Sequence, residues 1–384
     1  MEIPFVFDKP VTGKQFVGRK SDISVLSNMI LHGQNAALWA IPMSGKKSLV
    51  RQALQGLLAS GNTFSVCEMN LGNIRYPEIF VRRFAGALLK AAAQSVDDME
   101  LWATKYFEGT SLVFDRQSYM DSGEAFPGSF ALSENEYFAV AELPYLLARE
   151  IGRGMVVVLD EFQELDSDEG EKLFKIINSV MSAHKNMAGS FCTFIFMGSR
   201  VNAMESIFLR RRIFWGQCEH LPLSRHTDSE IADHVMRGFS MGGKVISRDL
   251  IQGVTDMFRG HMWHINHFFF ICDALSKGYI SEPILEAALS CMLHTYEPSY
   301  RAIMTGLTRF QESLLRAVLD GVVKFSTADV IDRYGLSSSA NVKRLKDALM
   351  KKEVVRFDPN SDEKSEPEVL DPLFEYWLRN VYFK

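Results

Sequence analysis

The sequence predicts an α/β protein: a parallel-sheet domain, then an all-helical segment, then a small unit of helices with two short strands. Three observations predict it. Short apolar runs alternate with longer stretches of helical period through the first two-thirds of the chain. Near residue 225 the runs stop and helical pattern continues alone. A last set of short, closely spaced elements then closes the sequence. The 384 residues suffice for two or three cores, and 47% hydrophobic with 23% charged residues is an ordinary globular balance.

Five runs have strand length: "NAALWAI" (35–41), "FSVCEMNL" (64–71), "MVVVLD" (155–160), "CTFIFMGS" (192–199) and "CEHLPLS" (218–224). They are continuous rather than alternating, as expected of strands covered on both faces. Between them, "KSLVRQALQGLLAS" (47–60) and "RYPEIFVRRFAGALLKAAAQ" (75–94) carry apolar residues at three- and four-residue spacing, which predicts helices. Strands alternating with helices imply a parallel sheet with right-handed crossovers. The stretch from about 104 to 136 has turn residues, aromatics and little period, so it is expected to be an irregular insertion on a sheet domain spanning 1–224.

Residues 225–304 predict a small helical bundle, the lid. From 305 to 384 the order is helix, helix, turn, helix, then two short strands around the polar tip "PNSDEKSEPE", which is that of a winged helix-turn-helix. Its second helix, "STADVIDRYG", is expected to be capped by Ser326 or Thr327 and stopped by Gly335.

Charge and cysteine content narrow the function classes. A net charge of −5 argues against a surface built throughout for nucleic acid, though not against one basic face. The five cysteines are scattered among apolar neighbours with no metal-ligand spacing, which predicts buried reduced thiols. The start lacks a basic-then-apolar signal pattern, and the most apolar run, "HFFFICDAL", is too short to span a bilayer. A cytoplasmic protein with no membrane partner is expected.

The frame "AIPMSGKK" (40–47) stands between the first strand and the first long helix. It nearly matches G-x-x-x-x-G-K-[ST], the loop that cradles phosphates, with Ala40 for the first glycine and Lys47 for the final hydroxyl. Pro42, Met43, Ser44, Gly45, Lys46, Lys47 and Ser48 would surround the phosphates of ATP or ADP. Backbone N–H groups and the helix dipole would face the anion, and Lys46 would reach the β- and γ-phosphates. Asp160 and Glu161 end the apolar run "MVVVLD", at the sheet edge where ligands bind in open α/β folds. Asp160 would hold Mg2+ through water, and Glu161 would orient and activate the attacking water. Ser199, closing "TFIFMGS", is placed to sense the γ-phosphate. One of Arg210, Arg211 and Arg212 would complete its cage of charge. The bend before Lys46 and the acidic pair are expected to meet at one triphosphate.

Lys47 is the serious departure from the pattern. A hydroxyl there ligates Mg2+ directly, whereas an ammonium cannot. At about 4 Å and an effective dielectric of about 20, a unit charge pair is worth roughly 4 kcal/mol, and a divalent ion doubles it. Ser48 points about 100° round the helix and substitutes poorly. ATP binding with weakened Mg2+ dependence and slow hydrolysis is therefore expected. The alternative is a catalytically inactive pseudo-ATPase scaffold, or a DNA-binding regulator acting through the winged helix.

In the last unit, "NVKRLKDALMKKEVVR" carries Lys343, Arg344, Lys346, Lys351, Lys352 and Arg356 on the helix that enters a major groove in DNA-binding winged helices. The acids of the wing tip nearly balance it, so DNA binding stands beside protein docking or self-inhibition. A protein partner would use this unit or the 104–136 insertion. His261, His264 and His267 recur every third residue among apolar neighbours, and read as core or lid contacts rather than metal ligands.

The segments "PVTGKQFVGRKSDISVL", the phosphate loop, "VVVLDEFQEL", "FIFMGS", the arginines before "LPLS", and "VLDPLFEYWL" together resemble the archaeal-type ATPases, of the STAND group of AAA-like P-loop proteins. The resemblance spans nearly the whole chain and is most specific at "FVGR", "LDEFQ" and "LDPLFEYWL". It is similar to a bacterial member with a degenerate Walker A loop. The resemblance implies a five-stranded P-loop core, a helical lid and a winged helix, working as a nucleotide-dependent switch. It also implies that Val17, Gly18 and Arg19 lie near the adenine, and that Arg259, Gly260 and His261 face the nucleotide from the lid. The family often has glycine and proline around this turn, where this chain has His261 and Met262.

Overall fold

The computed structural model describes residues 4–128, 131–185, 192–357 and 366–384. They form two compact units. One comprises Lys20–Ala40 and Leu49–Leu223; the other comprises Met1–Arg19, Ile41–Ser48 and Ser224–Lys384.

The first unit is built on a five-stranded sheet: β1 (Asn35–Trp39), β2 (Phe64–Asn70), β3 (Gly154–Asp160), β4 (Cys192–Gly198) and β5 (Cys218–His220). The order is β2-β3-β4-β1-β5 and every pairing is parallel. The central strands β3 and β4 are buried almost throughout, as continuous apolar runs covered on both faces should be. The edge strand β2 instead alternates, with Ser65 and Cys67 buried on one face and Phe64, Val66, Glu68 and Asn70 more open on the other. The fifth run is shorter than its apolar length suggests. After His220 only Leu221 still donates to the Ala37 carbonyl, and Pro222 has no N–H to continue the ladder.

Helices Pro77–Ala92 and Glu134–Glu150 pack on β2 and β3, with Asp168–His184 against the latter helix. Their apolar faces carry Phe80, Phe84 and Leu88, then Val140, Leu143 and Leu147. The 104–136 stretch is not wholly irregular. It holds the end of helix Val96–Tyr106 and a short helix, Arg116–Ser122, started by the Asp115 side chain and stopped by Gly123 at φ 78°. Seven residues make too few turns for periodicity to show. Residues 129 and 130 of this stretch lie outside the described residues.

The second unit holds lid helices Asp228–Met241, Arg248–Met257, Met262–Leu275 and Glu282–Thr305. Helices Arg309–Leu319, Ala328–Tyr334 and Ser339–Lys351 follow, then the antiparallel pair β6 (Val355–Arg356) and β7 (Glu368–Val369), and finally helix Pro372–Trp377. Thr327 precedes the second of these winged-helix elements, and Gly335 ends it in the left-handed conformation at φ 64°. Of the polar wing tip, 358–365 lie outside the described residues. A single apolar cluster runs from Phe5 through the lid to Leu378, so lid and winged helix share one core. Trp377 marks the join, with its ring 5.7 Å from Tyr300 of the long lid helix and 5.2 Å from Tyr382.

Cys67, Cys192 and Cys272 are buried free thiols, Cys218 is half-buried, and Cys291 is exposed, contrary to the expectation of burial. Among the described residues no helix is long and apolar enough to cross a membrane.

Trp377→Ala should cost about 3–5 kcal/mol. Hydrogen exchange should then quicken in Glu282–Thr305 as well as beyond it; quickening confined to residues after 305 would contradict the shared core.

Candidate nucleotide site

The outgoing connections of neighbouring strands β1 and β4 run in opposite directions, one to β2 at the far edge and one to β5. Their carboxyl ends therefore frame a topological switch point, where ligands of open α/β sheets bind. Ala40 N–H donates to the Gly198 carbonyl at 3.4 Å, so the chain leaves β1 beside the end of β4.

On the same edge, Asp160 ends β3 opposite Asn70 of β2. Asp160 is buried; one carboxylate oxygen accepts from Asn70 Nδ2 at 3.0 Å and the other from Glu161 N–H at 3.2 Å. Glu161 has φ 59°, a left-handed conformation that costs a β-carbon residue about 1–3 kcal/mol. Two sets of contacts hold it there. The next residue, Phe162, is fully buried with its ring 4.6 Å from both Phe174 and Phe196. Glu161 Oε2 accepts from Ser199 Oγ at 2.6 Å, Ser199 N–H at 3.1 Å and Gln163 Nε2 at 2.6 Å. The hydroxyl expected to face a phosphate thus orients the acid. Gly198 makes room for this clamp, since a β-carbon there would collide with Gln163 Oε1 and Met204.

The basic turn is engaged within this unit. Arg211 pairs with Asp166 and, at 3.2 Å, with Glu171. Arg212 sits over the Trp215 ring at 4.3 Å.

The phosphate-loop residues belong to the second unit. Met43 at φ 59° and Gly45 at φ 90° bend the loop, and helix Lys46–Ala59 starts directly after it. That helix start leaves backbone N–H donors with no partner in their own helix. Pro42 and Met43 are exposed, Lys47 is half-buried, and Lys46 is buried with its ammonium donating to the Ile41 carbonyl at 3.1 Å and Ser44 Oγ at 3.4 Å. Ser48 Oγ accepts from Val11 N–H at 3.1 Å, which fastens the amino-terminal segment. Within that segment Val17 is half-buried. Gly18 turns at φ 61°, where a β-carbon would come within 2.8 Å of the Glu230 carboxylate. Arg19 donates to the carbonyls of Ser44, at 2.8 Å, and Ser224, at 3.0 Å, joining the loop to the start of the lid.

His261 shares this neighbourhood. Burial pushes its imidazole down to about 3; the adjacent His264 and the charges of Arg19 and Lys46 act the same way, against the opposing pull of Asp371. Arg259 is turned elsewhere. Its guanidinium donates to Glu368, Glu375 and the Val369 carbonyl, each at 2.8 Å, so it binds the lid to the winged helix. His267 stacks on Phe7 at 4.2 Å and meets the Tyr296 hydroxyl at 3.2 Å. No cluster of His, Cys, Asp or Glu with metal-site geometry occurs among the described residues. The residues that sequence reasoning left unassigned are Asn70, Gln163 and Asp371. Gln163 lies inside "LDEFQEL", but its contact with Glu161 needs the turn that the left-handed residue makes.

Residues 298–380 match the family model of a probable winged helix domain. Among solved structures, the Walker-type ATPase paby2304 of Pyrococcus abyssi matches over 98% of this chain and 99% of its own, at 14% identity and TM-score 0.63. The fold is that of the archaeal Walker-type ATPases. The ORC2 protein of Aeropyrum pernix, in ADPNP and ADP complexes, matches with TM-score 0.58 at 14% identity, over 96% of this chain and 93% of that one. The ORC1 protein of the same organism, in complex with DNA, gives 0.51 at 14% identity over 99% and 96%. No curated protein matches the sequence. A five-stranded parallel sheet precedes the carboxy-terminal winged helix domain in this chain.

Gly198→Ala should lose about 1–3 kcal/mol in urea unfolding, because Gln163 and Met204 must move. Gly56→Ala, in open space on a helix, should gain about 0.5–1 kcal/mol. Equal effects at the two sites would contradict the close packing behind Glu161.

Proposed function

We propose that this chain binds ATP or ADP at the loop 42–48 and acts as a STAND-type, AAA-like nucleotide switch with slow hydrolysis. The observation that supports it best is the placement of the loop's start: Ala40 lies at the β1–β4 switch point, with Asp160, Glu161 and Ser199 on the same sheet edge. Lys46 supplies the phosphate-facing ammonium. Glu161, held by Ser199 and Gln163, is the candidate base for an attacking water. Val17, Gly18, Arg19 and His261 border the nucleotide from the amino-terminal segment and the lid. Arg211 and Arg212 keep a catalytic role only if they leave Asp166, Glu171 and Trp215.

The donor set fits a nucleotide better than a directly ligated Mg2+. Lys47 offers an ammonium where a hydroxyl ligand is needed, and the Ser48 hydroxyl is engaged with Val11. Asp160 would hold the ion through water. Calorimetric ATP binding with and without chelator, beside turnover of wild type and Lys47→Thr, tests this. Affinity should change little with chelator in the wild type, turnover should be slow, and Lys47→Thr should raise its Mg2+ dependence. Brisk, strictly Mg2+-dependent wild-type turnover would refute the slow switch.

A second reading is DNA contact through helix Ser339–Lys351, supported by the exposed Lys343, Arg344 and Lys351. Two further cations serve the fold. Lys346 lies over the Phe325 and Phe357 rings at 4.7 and 5.2 Å, and Lys352 donates to the Gly306 carbonyl at 2.8 Å. Three outward cations, opposed by the exposed Asp347, predict a shallow salt dependence of duplex binding by the full chain, weakened by Lys343→Ala with Arg344→Ala. No shift of duplex DNA at low salt would leave a protein partner as the occupant of this face.

A further inference from the structure

His261, His264 and Asp371 make a chain of polar contacts inside the lid-and-wing unit. His264 Nδ1 lies 2.8 Å from His261 Nδ1, and His264 Nε2 lies 3.4 Å from Asp371 Oδ1. Asp371 is also the cap of helix Pro372–Trp377, accepting from Leu373 N–H at 2.9 Å and Phe374 N–H at 3.2 Å. Burial works to raise its carboxyl, but His264 and these two amides outweigh that and hold it below the usual range. At the other end, His261 Nε2 is buried with no hydrogen-bond partner.

Counting hydrogens gives this chain two states. A neutral imidazole has one N–H and a charged one has two. With both rings neutral, His264 gives its Nε2–H to Asp371 and offers a bare Nδ1. His261 must then donate from Nδ1, which leaves its Nε2 bare, and a bare nitrogen repels an anionic oxygen. One added proton reverses the order. His264 donates at both ends, His261 accepts at Nδ1, and the His261 N–H moves to Nε2, where it can donate to phosphate.

We propose that His261 Nε2 senses the nucleotide phosphate, whose arrival draws one proton from solvent onto the His261–His264 pair, with Asp371 as counter-charge. The inference rests on the nucleotide-binding reading above. The groups acting on the pair are Arg19 and Lys46 from the amino-terminal segment and the loop, and His267 from the same helix. Tyr296 and Tyr300 border Asp371 from the long lid helix. An incoming phosphate offsets the two cations that, with burial, hold His261 neutral. Because Asp371 caps a winged-helix element, the proton reports phosphate occupancy to the start of that helix. Binding that takes up a proton tightens as pH falls.

The test is calorimetry of ATP binding to the full chain in two buffers of different ionisation enthalpy, for wild type and His264→Gln. Subtracting the variant removes the nucleotide's own titration. The wild type should take up close to one more proton, and its affinity should rise towards acid pH while that of the variant stays flatter. Histidine 15N spectra of the wild type give a reading independent of the variant's folding: both ring nitrogens of His264 should become protonated when ATP is added. Binding with equal proton uptake, or a His264 ring that stays neutral, overturns the relay and leaves nucleotide binding intact. No ATP binding by the wild type overturns both.

Discussion

The parallel pairing of β1 with β4 is the constraint on which the sheet unit depends. It puts Trp39 opposite Gly198 and leaves Ala40 donating to the Gly198 carbonyl, so the chain leaves β1 at a position where neighbouring crossovers diverge. The next pairings carry the register outward: β4 aligns β3, and β3 aligns Asp160 with Asn70. Gly198 then does a second job. Its missing β-carbon admits Gln163 and Met204, and Gln163 with Ser199 fixes the carboxylate of a strained Glu161. Strain at one acid, packing beneath it and the loop's exit thus follow from one register.

In the other unit the organising feature is continuity. The loop residues 41–48 group with the lid and the winged helix, and one apolar cluster links the latter two. Polar contacts cross the same join. Arg259 ties β7 to the last helix through Glu368, Val369 and Glu375, while His264 reaches Asp371. A change at Arg19 or Lys46 is therefore made in the same unit that carries helix Ser339–Lys351. The proposed switch would use such a unit, because a ligand can only shift a conformation it contacts differently in two states.

Much of this was legible in the sequence, for physical reasons. Strands covered on both faces write themselves as unbroken apolar runs, and β3 and β4 read cleanly, whereas β5 was overextended because Pro222 ends pairing inside an apolar stretch. Asp160 and Glu161 were legible because acids at the end of a buried strand contrast with what precedes them. Their holders were not. Asn70 meets Asp160 only through strand register, and Ser199 meets Glu161 only because that residue turns left-handed. Arg259 looked like a lid contact to nucleotide; its partners lie more than a hundred residues on, in the wing and last helix, beyond what spacing alone reveals.

The measurement that bears most directly on the account is the nucleotide carried by the purified chain, read by native mass spectrometry for wild type and Lys46→Ala. A charge-assisted contact to phosphate is worth about 1.5–3 kcal/mol, so the substitution should weaken retention of ATP or ADP roughly ten- to a hundredfold. A wild-type chain that holds no added nucleotide, or a Lys46→Ala chain that holds it equally well, would contradict the account.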